Sequence, residues 1–188
     1  MTIIRERTDY MTVEDYFDLD EASETRHEYI DGEVYPMTGG TVNHGDIIMN
    51  ASFALMRRLL DKGCRVYAGQ VRHQVSLTRY FYPDVSVICG ACETDERSLV
   101  LHNPVLVAEV TSPSTINFDR GDKLSFYQGI ESLEMVLLFD QLRPFLEMYA
   151  RQGKRWLGSE YSDIAAIVPL PALNIELPLA ELYRGIKL

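Results

Sequence analysis

Two almost unbroken apolar runs, Val105-Leu106-Val107-Ala108-Glu109-Val110 and Met135-Val136-Leu137-Leu138-Phe139, constrain this chain more than any other feature. A strand with one wet face alternates polar and apolar residues, so runs of this kind belong to strands covered on both faces in the middle of a sheet. Between them Ser112-Pro113-Ser114-Thr115 breaks the chain, and residues 119–130 read as a helix ending near Gly129. Strand, crossover helix and second buried strand form one unit, and helices must cover the sheet that contains it.

The remaining segments fit around that sheet. Thr12-Val13-Glu14-Asp15 ahead of Tyr16, Phe17 and Leu19 predicts a short helix with a threonine cap and an acidic first turn. Asp31-Gly32 between His27-Glu28-Tyr29-Ile30 and Glu33-Val34-Tyr35-Pro36-Met37 predicts a tight hairpin, because both turn positions need positive φ. Gly39-Gly40-Thr41 reads as a loop. Ile48, Ala51, Leu55 and Leu59 recur at helical spacing, predicting the longest helix over 43–62 with Gly63 as its stop. Residues 65–68, 71–77 and 82–89 read as short strands of a meander. A second hairpin is expected from 145–149 and 155–157 around Gly153-Lys154, and the tail holds apolar runs at 164–171 and 173–177 before a short amphipathic end. The expected class is α/β in the layered α+β sense, a mixed central β-sheet flanked by helices. At 188 residues one domain is expected, with an N-terminal helix and hairpin at 10–38, a core at 43–140 and a C-terminal hairpin and tail at 141–188.

With 46% apolar and 24% charged residues the chain has the means to bury a core, which excludes intrinsic disorder. No run approaches the ~18 apolar residues of a spanning helix, and the start lacks the basic-then-apolar pattern of a signal peptide, so a cytoplasmic location is expected. Three cysteines leave one thiol over in any disulfide scheme and are read as reduced. The net charge of -10 argues against tight, non-specific binding to nucleic acid. However, eleven of the 28 acidic residues lie between Glu6 and Glu33, beside only Arg5, Arg7 and Arg26, so the chain beyond is close to neutral.

Glu109 is the residue to explain, because an ionised carboxylate inside a doubly covered strand needs a compensating cation or donor network. Asp84, after Pro83 at the head of Val85-Ser86-Val87-Ile88, plausibly projects toward the same end of the sheet. Paired carboxylates of this kind bind hard divalent cations such as Mg²⁺, which keep several waters. Lys123 falls in the first turn of the expected crossover helix, where a cation is electrostatically misplaced unless it has a specific partner. Tyr127 lies one turn further and reads as a core aromatic. His44, at the start of the long helix, reads either as a helix cap or as a phosphate contact. Gln70 is expected on the strand next to the Asp84 strand, within reach of a metal there, but is not read as a ligand. Cys89-Gly90-Ala91-Cys92 with Cys64 and His102 offers a zinc set of poor spacing.

Pro83-Asp84 followed by Glu109-Val110-Thr111 resembles the PD-(D/E)XK nuclease superfamily, with Thr111 at the usual lysine position. More narrowly, His27-Glu28-Tyr29-Ile30-Asp31-Gly32-Glu33-Val34, Met37, His44, Pro83-Asp84-Val85-Ser86-Val87, Glu109 to Thr115 and Asp119-Arg120-Gly121-Asp122-Lys123-Leu124 together resemble the Uma-two (Uma2) family of restriction-endonuclease-like proteins, from about Thr12 to Phe139. The resemblance implies a Mg²⁺- or Mn²⁺-dependent endonuclease acting on DNA. Asp84 and Glu109 would hold the metal with the main-chain carbonyl of Val110, Lys123 would replace the missing strand lysine, and Glu28 would be a further acidic site residue. The same lineage implies a homodimer. The competing readings are a catalytically silent nucleic-acid-binding or regulatory module on the same fold and a zinc-stabilised interaction protein. Retention of Asp84, Glu109 and Lys123 together favours the enzyme.

Overall fold

The structure is a computed structural model that describes residues 10–37, 39–113 and 115–187; Ser114 of the Ser-Pro-Ser-Thr break and the first nine residues lie outside the described residues. Helix α1 (Val13–Ala22) begins where Thr12 Oγ1 accepts the Asp15 N–H at 3.2 Å. Strands β1 (His27–Ile30) and β2 (Glu33–Pro36) form the expected hairpin, with Asp31 at φ 49° and Gly32 at φ 100° in its turn. Helix α2 (Val42–Leu59) is capped by Thr41 Oγ1, extends as a 3₁₀ turn (Leu60–Lys62) and stops at Gly63, φ 67°. Strands β3 (Cys64–Ala68), β4 (Arg72–Ser76), β5 (Arg79–Phe81), β6 (Val85–Cys89) and β7 (Val100–Leu101) lead to β8 (Leu106–Thr111).

The crossover is α3 (Ile116–Phe118), a π-helical turn (Asp119–Lys123) and α4 (Leu124–Gln128), leading to β9 (Met135–Asp140). It therefore starts three residues earlier than expected, and Lys123 sits at its middle rather than in its first turn. Gly121 leaves helical geometry inside the π turn, at φ -101° and ψ -106°. The chain ends with β10 (Leu146–Gln152), β11 (Arg155–Tyr161), the hairpin β12 (Ile167–Leu170) and β13 (Ile175–Pro178), and α5 (Leu179–Leu182).

The main sheet has the order β11-β10-β9-β8-β6-β3, with β8 and β9 parallel at its centre and every residue of β8 buried. One face packs on α2, α5 and the β12-β13 hairpin through Ile47, Leu55, Leu106, Phe139 and Leu182. The other carries Val107, Val136 and Leu138 against Leu124 and Tyr127 of α4 and Phe81 of β5. A smaller sheet, β2-β1-β5-β4-β7, holds an aromatic cluster of Tyr16, Tyr29 and Tyr80 under α1. This is the mixed sheet flanked by helices that the two apolar runs demand.

Two expectations fail here. The three short strands are no meander: β3 and β6 pair in the main sheet, while β4 lies in the smaller sheet between β5, which pairs with β1, and β7. Local pattern cannot assign a strand to one sheet or another, since pairing is decided by which apolar face finds cover. Nor are all cysteines reduced: Cys64 and Cys89 stand opposite each other in the β3-β6 register and form a disulfide, leaving Cys92 free. That bond also removes two thiols from the zinc set.

Candidate active site

The two carboxylates meet because β6 and β8 run antiparallel. Val85 pairs with Ala108, so Asp84, one residue before β6, falls level with Glu109, one residue further along β8. Side chains level across neighbouring strands share a face. Pro83 lies two residues ahead of β6, outside the ladder, where a missing N–H costs nothing. Asp84 is anchored at both ends of the residue: its carbonyl accepts the Gly69 N–H at 2.9 Å and its Oδ2 accepts the Val110 N–H at 2.7 Å.

The crossover lays Asp119, Lys123 and Tyr127 on the same face of the sheet at intervals of four residues. Lys123 is 4% exposed, and its Nζ lies 2.9 Å from both Glu28 Oε1 and Glu109 Oε1. The ammonium thus joins β1, β8 and the π turn. Tyr127 Oη donates to Glu109 Oε1 at 2.5 Å. From α2, His44 Nε2 stands 3.3 Å from Asp84 Oδ2. Gly40 makes room for that ring, since a Cβ there would come within 2.6 Å of His44 Nδ1. Together Asp84, Glu109, Val110, Asp119, Lys123 and His44 line a cleft of about 50 Å³, room for a cation with a few waters.

The electrostatics are those of too many carboxylates for one lysine. Burial, followed by repulsion from Asp84, Glu28 and Asp119, pushes Glu109 up to about 8 against the pull of Lys123. Asp119 is raised for the same primary reason, burial. Burial works against the Lys123 cation, but Glu109, Glu28 and Asp119 outweigh it and hold its pKa well above the ordinary lysine value. Tyr127 is raised well above the ordinary phenol by burial and by Glu109.

Residues 13–180 match the model of the Uma2 family, whose description is "putative restriction endonuclease". The chain belongs to the Uma2 family. Two uncharacterized proteins of Synechocystis are similar to this Uma2 chain: sll1609 at 34% identity over 81% of the chain and 88% of the relative, and slr1290 at 29% over 94% and 93%. The fold is similar to a crystal structure titled a putative nuclease of DUF820 from Anabaena variabilis, with a TM-score of 0.78 at 17% identity, covering 94% of this chain and 99% of that one. At that identity the likeness shows a shared fold.

Within this Uma2 fold the residues singled out from the sequence converge: Asp84, Glu109, Val110 and Lys123 line one cleft, and Glu28 is tied to it through Lys123. Three expectations change. His44 donates its main-chain N–H to the Thr41 cap while its ring faces Asp84, so the side chain is not the cap. Gln70 is exposed in the β3-β4 loop and takes no part in lining the cleft. Tyr127 is a core aromatic and a site residue at once, since burial of its ring delivers its hydroxyl to Glu109. Asp119 also lines the cleft, and its spacing of four from Lys123 is the one sequence signal that points to it.

The donor set fits a hard divalent cation. Asp84 and Glu109 offer carboxylate oxygens, and among the described residues no three His, Cys, Asp or Glu side chains group as a metal cage. Mg²⁺ is satisfied by one or two carboxylates and several waters. A cation would also relieve the carboxylate excess around Lys123.

Proposed function

We propose that this Uma2 chain is a Mg²⁺- or Mn²⁺-dependent endodeoxyribonuclease. The observation that carries this reading is the convergence of Asp84, Glu109 and Lys123 from three separate elements on one acidic cleft. Asp84 and Glu109 would hold the metal with the Val110 carbonyl, and the bound cation would lower the pKa of a water and neutralise phosphate charge. Asp84 is held in position by the Val110 N–H, and Glu109 by Tyr127. Lys123 keeps its proton throughout and presents a fixed positive charge to the charge developing on the scissile phosphate. Glu28 positions that ammonium from the opposite side. A second copy of the chain would bring a second cleft to the other strand of a duplex.

One observation favours a silent nucleic-acid-binding module instead: Lys123 is already paired with two carboxylates, a network that is satisfied without substrate. The deciding experiment is calorimetric titration with Mg²⁺ and Mn²⁺ on wild type, Asp84→Ala and Glu109→Ala, with plasmid nicking followed in the same buffers. Binding and nicking lost together in both variants is the expected result. Unchanged metal affinity in both would sink the site assignment, and binding without nicking would favour the silent module.

A further inference from the structure

Helix α2 buries one face in the main core through Ile47, Ala51, Leu55 and Leu59. Its opposite face should be polar in a surface helix. It is not: Val42 is 81% exposed, Met49 66%, Phe53 64%, Met56 49% and Leu60 74%. With Asp46, these residues occupy positions 42, 46, 49, 53, 56 and 60, alternating steps of four and three. That spacing is the a/d seam of a coiled coil, the pattern by which one helix presents knobs to another. An exposed helix seam that is apolar at every position but Asp46 marks a protein interface.

We infer that α2 is the face through which two copies of this chain pair, antiparallel, about a two-fold axis at the level of Ala51. The geometry of the stripe selects a second copy as its occupant. Reflected about position 51, Val42 meets Leu60 of the partner subunit, Asp46 meets Met56 of the partner subunit and Met49 meets Phe53 of the partner subunit, so every seam position maps onto another. An isologous contact requires this self-complementarity. Charge agrees with the antiparallel sense. Asp46 is exposed and Arg57 keeps a half-exposed guanidinium while contacting Glu181. Antiparallel pairing sets Asp46 beside Arg57 of the partner subunit, whereas parallel pairing sets like charges against each other. Phe53, beside a groove between α2 and α5, is the central anchor. Pairing through α2 is independent of the chemistry at the cleft, so loss of the dimer and loss of nicking are read separately.

Sedimentation and light scattering on the full chain, across micromolar concentrations, test the pairing. The expected species has twice the 21.5 kDa chain mass. Phe53→Glu and, separately, Met49→Lys should each return it to the single-chain mass with the far-ultraviolet circular dichroism unchanged. For orientation, Met49→Cys and Phe53→Cys chains are prepared in a Cys92→Ser background and oxidised alone and mixed. A cross-link formed only in the mixture supports the antiparallel register. A single-chain mass for wild type, a dimer surviving both charged substitutions, or cross-links formed by each variant alone would overturn it.

Discussion

Tyr127 and Glu109 meet at one oxygen: the phenol donates to Oε1 at 2.5 Å, and Lys123 Nζ reaches the same Oε1 at 2.9 Å. Both donors act on one oxygen of the carboxylate, which fixes its rotamer. Tyr127→Phe removes one donor and nothing else of the ring. Above pH 8, where Glu109 is ionised, stability should fall by about 2 kcal/mol, the scale of a hydrogen bond to a charged group. Divalent-metal affinity should weaken about tenfold, as when a group orienting a metal ligand is lost. Urea unfolding and calorimetry measure the two effects, and an unchanged affinity would show that Glu109 needs no such support.

Lys123 neutralises two buried carboxylates from different sheets, Glu28 and Glu109. Lys123→Met should cost about 3 to 5 kcal/mol, because removing one partner of a buried ion pair leaves uncompensated charge. Adding Glu28→Gln to Lys123→Met should recover part of that loss. Metal binding should survive in Lys123→Ala while cleavage disappears. Unfolding curves of the single and double variants, paired with nicking assays, separate the structural effect from the chemical one.

His73 is 1% exposed; its Nδ1 pairs with the Val71 carbonyl and its Nε2 has no partner among the described residues. Burial lowers its pKa from 6.5 to about 4. Between those values the unfolded chain binds a proton that the folded chain refuses, so this group's contribution is full above pH 6.5 and is lost as pH falls toward 4. The limit is about 3 kcal/mol. Glu109, raised to about 8, acts in the opposite sense between pH 4.5 and 8. The histidine's share is therefore the difference between wild type and His73→Gln. Wild type should lose stability relative to the variant on acidification, and parallel profiles would refute the assignment.

The Cys64–Cys89 bond closes a loop of 25 residues between neighbouring strands. Loop-closure entropy puts its value at about 3 kcal/mol. The double substitution Cys64→Ser, Cys89→Ser, or reduction of wild type, should lower the urea midpoint accordingly. Equal midpoints with and without reductant would show that the thiols are not bonded in solution.

The centre of this fold follows from local sequence, and so does the demand that Glu109 places on its surroundings. Runs at 105–110 and 135–139 admit little besides doubly covered strands, and a carboxylate at 109 inside such a run needs a partner. Asp31-Gly32, Thr12 and Gly63 placed the hairpin, the helix start and the helix stop, because turn and cap preferences are local. Partner and register were not local. Nothing near Lys123 in the chain points to Glu28, 95 residues away, and the pair exists because β1 and the π turn are brought over the same strand. The Tyr127 hydroxyl, the turn of the His44 ring toward Asp84 and the opposition of Cys64 and Cys89 likewise arise from which strand lies beside which. Strand pairing is set by the cover that each apolar face finds in the whole molecule, which no single stretch of the chain specifies.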